Sequence, residues 1–194
     1  SRQAQHFFLI SDAIEKTGLS RAALSQAIKR LRDKNKITHV HKEFYLIIPP
    51  HYESLGCLPA EQFIPDLMNY LNLNYYVGLL SAAQYHSAAH QKPQHFQVIT
   101  AKPLRNIHCG NVSIVFVEKT KMHLTPTKRF NTLTGYIDVA TPEATCIELL
   151  EYPRHSAGIN NIATVLIELS ESISPQELKQ TIEHLNPNTV TLQR

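Results

Sequence analysis

The stretch from Ser11 to Pro50 has the sequence SDAIEKTGLSRAALSQAIKRLRDKNKITHVHKEFYLIIPP and decides the fold of the N-terminal quarter. Its first part predicts a short helix over residues 12–17, which Ser11 caps. Gly18 ends this helix, because glycine adopts the left-handed backbone conformation without steric cost. A short helix followed at once by a glycine turn is the beginning of a helix-turn-helix motif.

A second, basic helix is predicted after the turn, from Arg21 to about Lys34, and Ser20 is placed to cap it. Leu19 is expected to fill the angle between the two helices. Apolar residues recur in the second helix at i, i+4 and i+7, which predicts a buried face. The residues of that face are Leu24, Ile28 and Leu31.

Two short strands are predicted next, over residues 37–40 and 44–48, because both are rich in β-branched and aromatic residues. Residues 41–43 separate them and form the tip of a hairpin, the wing. Helix, glycine turn, basic helix and hairpin in this order predict a winged helix-turn-helix DNA-binding domain over residues 1–50. A first helix of this domain is expected either partly within residues 1–10 or missing from the sequence, and both alternatives stay open.

The exposed face of the second helix is predicted to enter the major groove. Small and amide side chains near its start allow a close approach, and Gln26 is expected to bind adenine while Arg21 or Lys29 reaches guanine or a phosphate. On the wing, Lys42 and a neighbouring histidine are expected to contact the DNA backbone or the minor groove. The predicted DNA-binding residues are Ser20, Arg21, Ser25, Gln26, Lys29, Arg30, Arg32, His41 and Lys42.

Charge is distributed unevenly along the chain. Residues 1–50 contain nine Lys and Arg against four Asp and Glu, a balance of +5, whereas residues 51–194 contain ten against twelve, a balance of −2. This asymmetry favours a basic N-terminal head that binds DNA on a nearly neutral body. Two alternatives remain open for the head: a basic helix face that is merely solvated, and a winged helix that binds protein instead of DNA.

The cysteines and the hydropathy pattern indicate in which cellular compartment the protein is expected. Cys57, Cys109 and Cys146 are far apart in sequence and odd in number, so neither a disulfide framework nor a zinc site is predicted. No segment approaches the ~20 apolar residues that span a bilayer, and no signal peptide is recognisable. We therefore expect a cytoplasmic protein that contacts no membrane.

Prolines at 49, 50 and 59 predict a linker over residues 49–60, followed by a mixed α/β body over residues 60–194. The whole chain, of which 43% is hydrophobic, is thus predicted to be α+β. In the body we predict helices that start at Pro65, 78, Pro142, 160 and Pro175 and strands over 96–100, 112–118 and 136–140. Thr141 is predicted to cap the third of these helices, and Ser174 with Glu177 to form a capping box for the last.

Residues that suggest catalysis or metal binding form no complete pattern. His86 and His90 have a zinc-like spacing and His95 follows, but no third ligand is evident. His108 and Cys109 are expected in a turn. Asp138, Glu143 and Glu148 could belong to a Mg²⁺-dependent nuclease, but no lysine completes that pattern, and the helix dipole explains Glu143. We expect no catalytic residue, no metal and no cofactor.

Three segments together resemble one known family, the AbiEi antitoxins of type IV toxin–antitoxin systems. They are YVGLLSAAQYHSAAHQKPQHFQVIT (76–100), TGYIDVATPEAT (134–145) and AGINNIATVLIEL (157–169), and they follow one another in the family's order and spacing. The resemblance implies an N-terminal winged helix joined to a C-terminal antitoxin domain. By position it also implies that DNA contacts come from the second helix and from the wing around Lys42.

The resemblance implies two roles as well. The protein is expected to bind its own operon promoter and repress it, and to counteract a nucleotidyltransferase toxin without forming a stable complex with it. A nucleic-acid-processing enzyme, targeted to its substrate by the winged helix, remains the alternative. The oligomeric state is left open.

Overall fold

The computed structural model describes residues 6–88, 94–187 and 191, and the chain divides into two compact units. The first unit comprises residues 1–72, 106–114 and 132–135, and the second comprises residues 73–105, 115–131 and 136–194. In chain order the elements are β1 (Phe7–Leu9), α1 (Ile10–Thr17), α2 (Arg21–Asp33), β2 (Ile37–His41), β3 (Phe44–Ile47), α3 (Ala60–Tyr70), β4 (Tyr75–Val77), α4 (Leu79–Tyr85), β5 (Phe96–Thr100), β6 (Ile107–Cys109), β7 (Val112–Glu118), β8 (Thr127–Thr132), β9 (Gly135–Ala140), α5 (Pro142–Glu151), α6 (Ile159–Leu169) and α7 (Pro175–Leu185).

The first unit begins with a helix, a turn, a second helix and a hairpin. Gly18 caps α1 in the left-handed conformation (φ 65°), and its N–H donates to the carbonyl oxygen of Ile14, as the sequence predicts. Strands β2 and β3 pair antiparallel, and β1 adds to the other edge of β3, so the strand order is β1-β3-β2. Leu24 and Ile28 of α2 pack with Ile37 and Tyr45 to form the core of these elements.

Residues 7–9 form strand β1, which pairs with β3, so they are not part of a preceding helix. Three expectations for this region were wrong. The helix α1 begins at Ile10, so Ser11 lies inside it and makes no cap. Leu19 and Leu31 are each 41% exposed, not buried. The core cluster around Leu24 and Ile28 does not extend to either leucine, because Leu19 lies in the turn before α2 and Leu31 near the C-terminal end of that helix.

The first unit extends well beyond the predicted linker. Within residues 49–60, Pro50–Tyr52 forms a 3-10 helix, and Cys57 and Leu58 are fully buried. Prolines break regular helices and sheets, and for that reason the sequence predicts a linker here. They do not prevent a segment without regular structure from packing into a core, however. The compact units therefore divide the chain at different residues from the predicted domains of 1–50 and 60–194.

Helix α3 contains Pro65 in its interior instead of starting there. A proline inside a helix costs about 3 kcal/mol, because it removes one hydrogen bond and crowds the preceding turn. Phe63, Ile64 and Leu67 on the same helix are all at most 1% exposed. Burial of each such side chain stabilises by about 1.5–3 kcal/mol, so packing outweighs the proline.

The second unit is a sheet with helices packed against it. Its strands are ordered β7-β5-β4-β9-β8, with β4 antiparallel to β5 and parallel to β9. Strands β5 and β7 have the predicted bounds, and β9 starts one residue earlier than predicted. Helices α4, α5 and α6 contribute to one continuous buried core. The mixed α+β class is therefore confirmed.

The helix caps of the second unit are only partly as predicted. Thr141 accepts a hydrogen bond from the N–H of Ala144 (3.3 Å), which confirms it as the cap of α5. Ser174 accepts from the N–H of Glu177 (3.5 Å), but its own N–H donates to Glu143 Oε1 (3.2 Å) instead of to Glu177. The capping box is thus half formed, because a carboxylate from α5 occupies the other half.

Several elements of the body differ from prediction or were missed. The helix predicted over residues 78–90 is shorter: α4 ends at Tyr85, residues 86 and 87 form a turn in which Ser87 has a positive φ (60°), and residues 89 and 90 lie outside the described residues. His108 and Cys109 lie on strand β6 instead of in a turn, and Gly110 alone takes the left-handed conformation (φ 55°). Strands β4 and β6 are three residues long, too short to show a period. None of the helices in the described part of the chain is long and apolar enough to cross a membrane.

Candidate functional site

Helix α2 presents a polar, basic face to solvent. Ser20 caps it, with its Oγ accepting from the N–H of Ala23 (3.2 Å). Because Leu24 and Ile28 face the core, the residues at i, i+3, i+4 and i+7 from Ala22 lie on the opposite side and are exposed. The exposed residues on this side and its flanks include Arg21, Ala22, Ser25, Gln26, Lys29, Arg30 and Arg32.

The hairpin ends in a tight turn at Lys42, which is exposed and takes a left-handed conformation (φ 41°). His39 fixes this turn, because its Nε2 lies 2.7 Å from the carbonyl oxygen of Lys42 and its ring packs against Tyr45. Lys42 is therefore held at the tip with its ammonium group in solvent.

His41 differs from the other predicted DNA-binding residues, because it is half-buried. Burial lowers the pKa of its imidazole, and the neighbouring Lys42 and His39 lower it further. Among the described residues, His41 Nδ1 has no hydrogen-bond partner. Because a lowered pKa favours the neutral imidazole at pH 7, Lys42, and not His41, is the positively charged one of these two neighbours.

An open groove of about 660 Å³ runs along α2 within the first unit. It brings together Ser25, Lys29 and Arg32 with Asn35 and Thr38, which sequence reasoning missed. No local pattern marks these two residues, although Asn35 has a positive φ (53°) that its residue type tolerates. The predicted residues that do not line the groove are Ser20, Arg21, Gln26, Arg30, His41 and Lys42.

A buried polar network lies in the second unit, and sequence reasoning missed it too. Glu148 on α5 is fully buried, and its Oε1 accepts hydrogen bonds from the Tyr76 hydroxyl and from Lys119 Nζ (2.8 Å). Thr125 Oγ1 lies 3.0 Å from the Tyr76 hydroxyl, and Glu151 Oε2 lies 3.9 Å from Lys119 Nζ. Residues 119 and 148 are too far apart in sequence for any spacing rule to pair them.

The surroundings of this network shift several pKa values. Burial, and then the charge of Glu148, raise the pKa of the Tyr76 hydroxyl. Burial raises the pKa of Glu151, an effect that Lys119 opposes. Burial, with Glu151 next, raises the pKa of Tyr152 to about 12. A cleft of about 350 Å³ beside the network is lined by Lys119, Glu151 and Tyr152 among others.

The three carboxylates considered for a nuclease have separate partners. Asp138 pairs with Arg129 (3.1 Å), Glu143 accepts from the N–H of Ser174, and Glu148 pairs with Lys119. Lys119 pairs with Glu148 alone, and this pair is buried. The three acids and a lysine are therefore not brought together in one hydrogen-bonded group.

Of the two histidines with zinc-like spacing, one forms a hydrogen bond with the backbone and the other lies outside the described residues. His86 Nε2 lies 2.7 Å from the carbonyl oxygen of Ala140, and His90 lies outside the described residues. Throughout residues 6–88, 94–187 and 191, no three His, Cys, Asp or Glu side chains form a group that could hold a metal ion.

Comparison with known proteins places the C-terminal part of this α+β fold, which contains the buried network, among the antitoxins. Residues 76–194 match the family described as the AbiEi antitoxin C-terminal domain, which is more than half of the chain. The chain belongs to the AbiEi antitoxin family. No curated protein matches it by sequence.

The solved structures that match this chain include the following two. The RV2827C protein from Mycobacterium tuberculosis has a TM-score of 0.66 at 17% identity, over 97% of this chain and 69% of the other, and so shares the fold. An antigenic nucleotidyltransferase-like protein from Paracoccidioides brasiliensis has a TM-score of 0.43 at 8% identity, over 65% of this chain and 85% of the other.

Proposed function

We propose that this antitoxin binds the promoter of its own operon through a winged helix-turn-helix formed by α1, α2 and the β2–β3 hairpin, and represses transcription. The observation that carries the proposal is the exposed face of α2, on which Ser25, Gln26 and Lys29 follow at groove-reading spacing. The order of the elements and the +5 charge of residues 1–50 support it.

Each part of this interface has its own task. Gln26 donates and accepts at an adenine edge, and the short side chains of Ala22 and Ser25 let the helix approach the bases. Lys29, Arg32 and Lys42 bind phosphates, which fixes the orientation without reading sequence.

A gel-shift experiment with the operon's upstream DNA and a scrambled duplex tests this proposal. Gln26→Ala should reduce the preference for the operator by roughly 5–150-fold, because a bidentate base contact contributes about 1–3 kcal/mol of discrimination. Gln84→Ala is the matched control, since Gln84 is an exposed glutamine on a helix of the second unit. Equal loss of binding to both duplexes would contradict a base contact by Gln26, and wild-type protein that shifts neither duplex would refute the DNA-binding role.

For the antitoxin role, we propose that the C-terminal part of the chain counteracts a nucleotidyltransferase toxin and does so without catalysis. The support is the family match over residues 76–194. The separate structural partners of Asp138, Glu143 and Glu148 give no support to a nuclease in this unit.

Repression and neutralisation can be separated in cells. The toxin is expressed from an unrelated inducible promoter, so that repression cannot protect, together with wild-type antitoxin or a variant with Gln26, Lys29 and Arg32 changed to alanine. We expect both proteins to restore growth and only the wild type to shift promoter DNA. If the triple variant is folded by circular dichroism yet gives no protection, the proposed independence of the two roles is wrong.

A further inference from the structure

Two cysteines that are distant in sequence meet inside the first unit. Cys57 Sγ and Cys109 Sγ are 2.6 Å apart, and neither cysteine is in a disulfide. A disulfide bond is about 2.05 Å long, so the two sulfur atoms are closer than ordinary non-bonded neighbours and need little movement to bond. Cys146 lies in the second unit and is not part of this pair.

Two glycines produce this approach. Gly56 and Gly110, each next to one of the cysteines, are so close that a Cβ on Gly110 would lie 2.3 Å from the carbonyl oxygen of Leu55 and 2.8 Å from the Cα of Gly56. The N–H of Asn111 donates to the same Leu55 oxygen (2.8 Å). The two backbone segments are thus fixed in contact, and the fold itself positions the cysteines.

The two thiols are not equivalent. Cys57 donates its S–H to Cys109 Sγ, and Thr38 Oγ1 lies 3.3 Å from the same sulfur. The hydrogen bond from Cys57 lowers the pKa of Cys109, and the contact with Thr38 acts in the same direction, while burial opposes both. The pKa of Cys57 is raised, first by its hydrogen bond to Cys109. Cys109 is therefore the better nucleophile, because the thiolate is the reactive form.

A small oxidant has a short route to this pair. Gly56, Gly110 and Thr38 all line the groove of about 660 Å³ beside α2. Both cysteines are almost fully buried and neither lines the groove itself. A molecule the size of hydrogen peroxide therefore needs only a small local opening to reach Cys109, and a bulky reagent needs a larger one.

We propose that Cys57 and Cys109 form a peroxide-reactive dithiol that closes reversibly to an intrachain disulfide. The Cys109 thiolate attacks hydrogen peroxide, the O–O bond breaks, and a sulfenic acid forms on Cys109 with release of hydroxide, which takes up a proton to become water. The Cys57 sulfur then attacks the sulfenic sulfur, the S–O bond breaks, and the oxygen leaves as a second water with the Cys57 proton. The two sulfurs lose two electrons and the peroxide gains them.

The reduced full-length protein is treated with a few equivalents of hydrogen peroxide, then denatured and alkylated, and its free thiols are counted. We expect three thiols to fall to one, and dithiothreitol to restore three. Non-reducing tryptic mapping should link the peptide with Cys57 to the peptide with Cys109. Cys146→Ser is the matched control and should close the same link at the same rate.

Two variants test the order of the steps. Cys57→Ser should stop the reaction at a sulfenic acid on Cys109 that dimedone labels, and Cys109→Ser should leave Cys57 reduced. The wild-type map alone decides the proposal, even where a variant fails to fold. Three thiols that survive peroxide, earlier oxidation of Cys146, or a link between two chains would each overturn it.

Discussion

Replacement of Gly110 by alanine should lower the free energy of unfolding far more than the same replacement at Gly18. Both glycines have similar left-handed conformations, φ 55° and 65°. An alanine in this region costs about 1–2 kcal/mol, so both variants carry that loss. At Gly18 a new Cβ meets nothing within 4 Å, so the backbone cost is the whole loss of stability.

At Gly110 the new Cβ also meets backbone. The Leu55 oxygen at 2.3 Å is more than 1 Å closer than ordinary contact, and both contacting groups belong to main chain, which cannot rotate away. Overpacking of this kind costs about 1–3 kcal/mol, and separation of the segments breaks the hydrogen bond from Asn111 to Leu55, worth about 1 kcal/mol. The total loss at Gly110 is therefore about 3–6 kcal/mol.

Urea unfolding followed by circular dichroism measures the two losses. Native-state reaction of the cysteines with a disulfide reagent adds a local readout, because Cys57 and Cys109 are exposed only when the first unit opens. Gly110→Ala should lower the midpoint more than Gly18→Ala and accelerate the thiol reaction. Similar midpoints and similar thiol rates for the two variants would refute the argument that close backbone contact at Gly110 stabilises the first unit.

Three further predictions concern charge. Lys119→Met should lower the free energy of unfolding by about 3–5 kcal/mol, because it leaves Glu148 buried without its cation. The double variant with Glu148→Gln should lose less stability than the two single variants together, and additive losses in this double-mutant cycle would contradict a direct pair. Burial lowers the pKa of His86, and Lys128 adds to this effect while the Ala140 carbonyl and Glu143 oppose it. As pH falls, the unfolded chain therefore takes up the proton first, and stability should fall below about pH 6.5. His86→Gln should flatten that fall in a series of melting temperatures, and an unchanged slope would exclude His86 as its source. In DNA-binding titrations, Lys42→Ala should make the plot of log affinity against log salt shallower by about 0.9, unlike Lys102→Ala in the second unit; an unchanged slope would remove the hairpin from the interface.

The elements that follow from local chemistry were predicted well. Gly18 needs its left-handed turn, Thr141 and Pro142 open α5, and β5 and β7 have the expected bounds, because each depends on residues that are neighbours in sequence. The exposure of Gln26 and Lys29 follows equally from the period of Leu24 and Ile28 on the same helix.

Features that depend on distant partners could not be predicted. The sequence offers no reason for Cys57 to meet Cys109, or for Lys119 to meet Glu148, because long-range packing brings each pair together. The sequence predicts a helix start at Pro65, because a proline inside a helix is locally costly, yet the burial of Phe63, Ile64 and Leu67 outweighs that cost. In each case tertiary packing overrides or adds to the local preference.

The charge of this chain and its packing divide it at different places. Positive charge is concentrated in residues 1–50, whereas the first compact unit also includes α3, residues 106–114 and residues 132–135. Within that unit Thr134 Oγ1 donates to the carbonyl oxygen of Gln62 (2.8 Å), and Asn111 Nδ2 donates to that of Ser54 (3.2 Å). A cut at residue 60 would keep Gln62 with Thr134, but it would separate Asn111 from Ser54 and Cys109 from Cys57. Point substitutions on α2 therefore separate the two proposed roles more cleanly than a truncation does.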